Sequence, residues 1–201
     1  MRRKMTTALA AMLALGMLAG PAAATQPSIT DIAVGDGTFD RNQNDTDILA
    51  AAVVAAGLAG ALDSDSVNYT VFAPTDRAFR LLTRDLGGPW KAHEAEVATW
   101  LVENVGVDLL TDILLYHVVE GEVFSSDVVP ALQGAKVPTL GGSAFEVFIQ
   151  FKGNGSLKAV FLRDLDHDDL NAKLKLNALD IDASNGVVHL IDRVMRPIDL
   201  P

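Results

Sequence analysis

The run from Tyr69 to Phe79, YTVFAPTDRAF, constrains this chain more than any other. Its β-branched and aromatic start favours a strand. Pro74 has no amide donor and disfavours helix at the residue before it, so the strand must stop there. Thr75 is a residue type that starts helices. Asp76 then falls in a first helical turn, where a carboxylate meets unpaired amides and the positive end of the helix dipole. Ala78, Phe79, Leu82 and Leu86 follow at helical spacing. The stretch therefore encodes a strand-to-helix corner, and architecture alone is a sufficient reason for Asp76.

Other elements read the same way. Ser28 to Ala33 predicts a short helix, and Asp47 to Leu58 a second one capped by Asp45 or Thr46. Gly87-Gly88-Pro89 breaks the corner helix, Lys91 to Val105 predicts another, and Leu109 to Tyr116 a third that runs into a strand at His117. Pro130 and Pro138 argue against long elements between Val128 and Leu140. Phe145 to Phe151 and Leu157 to Leu162 read as strands around the Gly153-Asn154-Gly155 turn. Leu174 to Leu179 and Ile181 continue the strands, and Asn185-Gly186 turns into Val187 to Ile191. Helices mostly first and strands mostly last give an α+β domain.

The N-terminus reads differently. Arg2, Arg3 and Lys4 precede an apolar run from Ala8 to Ala19, and small residues follow at Ala22 to Ala24. That is the layout of a secretory signal peptide over residues 1–24, leaving one domain over 25–201. The apolar run is shorter than the roughly 20 residues of a membrane span, so no membrane insertion is expected. Without the three leading cations, 13 basic residues face 26 acidic ones, a net charge of −13. Nucleic acid and anionic lipid are poor partners for such a surface. With no cysteine in the chain, disulfides, thiol catalysis and Cys-ligated zinc are excluded.

Three segments in order, TVFAPTDRAF (Thr70 to Phe79), LLYHVVEG (Leu114 to Gly121) and NGVVHLIDRVMRP (Asn185 to Pro197), resemble the signature blocks of the fasciclin domain. The resemblance covers about Ile29 to Leu200 and is similar in particular to single-domain bacterial members. It implies a β-wedge of two sheets with several helices packed around it. It also implies a secreted, periplasmic or extracellular, non-enzymatic module for cell adhesion or attachment to a matrix. Its partner is then a protein or polysaccharide of a cell surface or matrix; a monomer and no cofactor are expected. Residues at the positions of Asp76, Tyr116 and His117 are implied as binding residues by analogy with animal members. Gly87 to Gly106 and Gly153 to Lys173 look longer and more polar than a minimal domain needs, and so look like insertions.

The residues themselves leave rivals open. His117 and His189 read first as histidines satisfied by backbone groups or packing, and no third ligand points to a metal pair. Gly141-Gly142-Ser143-Ala144-Phe145 lacks the last glycine of a nucleophile elbow and precedes a strand. Asp164, Asp166 and Asp168, with Asn171, resemble the start of a calcium loop. Asp169 and Lys175 then stand where a glycine and a bidentate glutamate belong, so a solvated acidic loop is the alternative. An extracellular small-molecule carrier with an apolar cleft, or an enzyme whose site is not visible in sequence, remain as alternatives.

Overall fold

The computed structural model describes residues 26–35, 37–62, 67–127, 130–167 and 170–200; the expected signal peptide lies outside them. Five helices are described, α1 (Ile29–Val34), α2 (Asp47–Ala55), α3 (Asp76–Asp85), α4 (Glu94–Asn104) and α5 (Val107–Tyr116). The strands are β1 (Tyr69–Pro74), β2 (Val118–Glu120), β3 (Lys136–Pro138), β4 (Ala144–Phe151), β5 (Leu157–Arg163), β6 (Ala172–Lys173), β7 (Ile181–Ala183) and β8 (Gly186–Ile191). They form two four-stranded sheets, ordered β2-β1-β8-β7 and β3-β4-β5-β6.

The central pair of the first sheet is the parallel one: β1 lies along β8 from Tyr69 opposite Gly186 to Pro74 opposite Ile191. The corner strand thus pairs with a segment more than a hundred residues later, which ties the two ends of the domain together. Gly186 sits at φ 147°. A Cβ there would lie 2.8 Å from Tyr69 N and from Ile29 Cδ1, so only glycine lets the two backbones meet. The sheets join where Leu174 bridges to Ile191 and Lys175 N donates to Leu190 O.

Period-two alternation divides the core. Val71 and Ala73 of β1, Val118 of β2 and Val188 of β8 face the helices, packing on Phe79, Leu82, Val97, Leu101, Leu110 and Ile113. Phe72, Val119 and Ile191 face the other way and meet Phe145, Val147, Ile149, Val160 and Leu162 of the second sheet. Phe72 and Phe145 pack edge to face, with centroids 5.3 Å apart.

Four expectations are corrected. Leu176 to Leu179 is a turn, not a strand: Ala178 N donates to Lys175 O, and Leu176 is exposed. Helix α4 starts at Glu94 rather than Lys91, because Arg80 of α3 holds the Trp90 and Ala92 carbonyls at 3.0 and 2.7 Å and keeps those residues as a loop. Residues 87–106 and 153–173 are not merely polar surface additions. They contain α4, whose Val97 and Leu101 are buried in the helical core, and β5, a central strand of the second sheet.

Candidate functional site

Thr75 takes the N-cap position of α3 with extended backbone, but its side chain makes no capping hydrogen bond. The helix start is closed from outside instead. Asp76 N donates to Asp45 O and Arg77 N to Gln43 O, at 3.0 and 3.1 Å. Asp76 returns the contact: its Oδ1 accepts from Ile48 N, the second residue of α2, at 2.9 Å. The aspartate therefore serves the N-terminus of the neighbouring helix, not its own. It clamps two helix starts together.

The clamp has an acidic floor. Asp76 is fully buried, and carboxylate oxygens of Asp45, Asp47 and Asp76 all lie within 4.8 Å of one another. Asp47 also stands within that distance of Asp40 and Glu94. Burial, and then the nearby Asp45 and Glu94 charges, push the Asp76 carboxyl up from 3.8 to about 8, against the pull of the Ile48 amide. Asp76 Oδ2 and Asp45 Oδ1 are both sealed from water without a hydrogen-bond partner. One proton on Asp76, donated to Asp45, satisfies both atoms. The same oxygens have the hard-donor chemistry for a calcium ion.

Tyr116 and His117 close α5. Tyr116 is buried, and its hydroxyl donates to Ala144 O of β4 at 3.2 Å; burial and Asp164 push the phenol up. It thereby pins the helical layer to the second sheet. His117, also buried, receives the Met195 amide on Nε2 at 2.8 Å. That leaves the ring proton on Nδ1, which donates to Ile113 O at 2.7 Å. Burial holds this imidazole down at about 4, so it is neutral. His189 adopts the opposite tautomer. It receives Asp180 N on Nδ1 at 3.1 Å and donates from Nε2 to Val123 O at 2.7 Å. Both rings have their nitrogens engaged with backbone groups, and a two-histidine metal site does not form from them.

The acidic loop is also turned inward. Asp164 accepts the Arg196 amide at 2.8 Å, and Asp166 pairs with Arg196 Nη1 at 2.8 Å. Asp85 of α3 takes Arg196 Nη2 at 3.0 Å. Two carboxylates of the suggested calcium run thus organise around one buried arginine; Asp168 lies outside the described residues. Sequence reading missed Arg196 and Asp85 as partners, because one comes from the last block and the other from the end of α3. Between the sheets, Phe72, Val119, Phe145, Val147, Leu162 and His189 line an apolar cavity of about 70 Å³.

The sequence matches the fasciclin domain family over residues 44–197. The chain belongs to that family. It is 34% identical over 170 residues to Protein sll1483 of Synechocystis sp. (strain ATCC 27184 / PCC 6803 / Kazusa), covering 85% of this chain and 73% of that one. It is 31% identical to the transforming growth factor-beta-induced protein ig-h3 of Sus scrofa, again over 85% of this chain but only 19% of the relative. The FAS1 domain pair from the insect cell adhesion molecule Fasciclin I superposes with a TM-score of 0.51 at 16% identity, over 72% of this chain and 45% of that one. That likeness shows the fold, the wedge of two sheets with helices. Within this fasciclin domain the three signature blocks meet in the first sheet, where β1 lies between β2 and β8. Among the described residues no helix is long and apolar enough to cross a membrane.

Proposed function

We propose that this fasciclin domain is a secreted, non-enzymatic attachment module that binds a protein or polysaccharide of a cell surface or matrix, after cleavage of residues 1–24. The family match over residues 44–197 carries this reading. Asp76, Tyr116 and His117 are all buried and are engaged with backbone groups. In this reading they serve binding indirectly, by fixing the helix corner and joining the two sheets, while outer surfaces make the contacts. The carrier alternative draws little from the geometry: about 70 Å³ is far below the roughly 300–1,000 Å³ of small-molecule sites.

The test is attachment of the full chain to its producing cells, to their matrix polysaccharide and to matrix proteins, with and without calcium. Saturable binding to one of these is expected, and Asp76→Asn and His117→Gln should bind in proportion to their folded fraction. A folded chain that attaches to none of them refutes the proposal.

A further inference from the structure

The charge of this chain hides a local reversal. Arg77, Arg80 and Arg84 recur at i, i+3 and i+7 along α3, on the side opposite buried Ala78, Phe79 and Leu82. With Arg41, Lys91 and Trp90 they line a cleft of about 770 Å³. Five of the 13 cations of residues 25–201 therefore meet in one place, and among the described residues Asp40 is the one acid that lines it.

The cations do different jobs. Arg80 is structural: besides the Trp90 and Ala92 carbonyls it pairs with Glu94, whose side chain is fully buried, at 3.3 Å. It thus sets the Trp90–Ala92 loop against the cleft. Arg84 is held by Asp85 at 2.7 Å. Lys91 lies 4.8 Å over the Trp90 ring, and that indole is 39% exposed. Arg41 and Arg77 are exposed, and neither side chain has a hydrogen bond or ion pair among the described residues. Two free guanidinium forks beside an exposed indole, on a wall built by a third arginine, are groups arranged for a ligand outside the chain.

We infer that this cleft binds a carboxylate-bearing polysaccharide, a polyuronate, with Arg41 and Arg77 on its carboxylates and Trp90 against a sugar face. The planar guanidinium matches a carboxylate with two parallel hydrogen bonds. The indole offers an apolar face with a polar edge. The rest of the surface is acidic and confines a polyanion to the cleft, where the exposed indole favours a sugar chain. This inference rests on the attachment reading and names the class of partner.

The experiment titrates the full chain with alginate, neutral dextran, dextran sulfate and single-stranded DNA, following tryptophan fluorescence and sedimentation. Saturable binding to alginate is expected, weakening with salt, with dextran inert. Arg41→Ala/Arg77→Ala should weaken it about tenfold or more without moving the melting temperature. Trp90→Ala should abolish the fluorescence change. Arg163→Ala, on β5, is the control and should bind as the parent does. Absence of alginate binding by folded protein overturns the inference, as does binding that ignores the double substitution. Preference for DNA or dextran sulfate overturns the carboxylate assignment. If the double variant still attaches to cells or matrix, the cleft inference fails while the attachment proposal stands.

Discussion

Replacing Asp76 by Asn should remove a pH dependence of stability that the parent shows between pH 6.5 and 8. The folded carboxyl titrates near 8, against an ordinary 3.8. Between those values the native state holds a proton that the unfolded chain has released. Unfolding then releases a proton, so stability falls as pH rises, by up to about 1.4 kcal/mol per pH unit. Below 3.8 both states are protonated and the contribution is flat. His117 has the opposite sign. Its folded value is held down at about 4 against 6.5, so its stabilisation is complete well above 6.5 and is lost as pH falls toward 4. Asp164, raised to about 6, is still partly protonated at 6.5 and is ionised over the rest of the window. In the window from 6.5 to 8 Asp76 gives the largest change among these groups, while His117 and His189, both lowered by burial, still contribute weakly with the opposite sign near the lower end. Allowing for partial ionisation at its upper end, the parent should lose about 1.5–2 kcal/mol across it, or about 3–8 °C in melting temperature for a domain of this size. Asparagine preserves the geometry: Oδ1 still accepts from Ile48 N, and the amide replaces the shared proton toward Asp45. Urea unfolding at three pH values, followed by tryptophan fluorescence, gives both slopes. A parent with no slope, or a variant whose slope equals it, would show that Asp76 is ionised at neutral pH and that the shared-proton assignment is wrong.

His117→Ala removes the acceptor of Met195 N and the donor to Ile113 O inside the core, so a loss of about 2–5 kcal/mol is expected; unfolding at pH 7 measures it, and a loss below 1 kcal/mol would contradict the assigned bonds. The same variant should lose less stability than the parent on going from pH 6.5 to pH 5. Arg196→Met leaves the fully buried Asp166 side chain without its guanidinium and should cost about 3–5 kcal/mol; retention of parental stability would refute its organising role. Gly186→Ala drives a Cβ into the β1 backbone and should cost about 3 kcal/mol or more, seen as a lower urea midpoint or failure to fold; a neutral result would mean that β1 and β8 are not paired as described.

Local chemistry made much of this domain legible in the sequence. Pro74 had to end β1, and the apolar spacing after it had to give α3. Gly153-Asn154-Gly155 and Asn185-Gly186 turn where such residues turn, and alternation within β4 marks its buried face. The three signature blocks carried the family, and with it the wedge. These are effects of neighbouring residues, encoded within a few positions of one another.

The roles of the same residues were decided elsewhere. Asp76 looked like a cap for its own helix, yet it bonds to Ile48, because the loop before α2 already closes α3. Leu176 to Leu179 alternates like a strand, but the chain turns once Leu174 has bridged the two sheets. Asp164 and Asp166 looked like ligands for a cation and found Arg196 instead. The arginines of α3 were visible at i, i+3 and i+7, but a net charge summed over the whole chain says nothing about where cations meet. Which helix an amide belongs to, and which charges share a cleft, follow from contacts between distant segments; only the tertiary fold brings those groups within reach of one another.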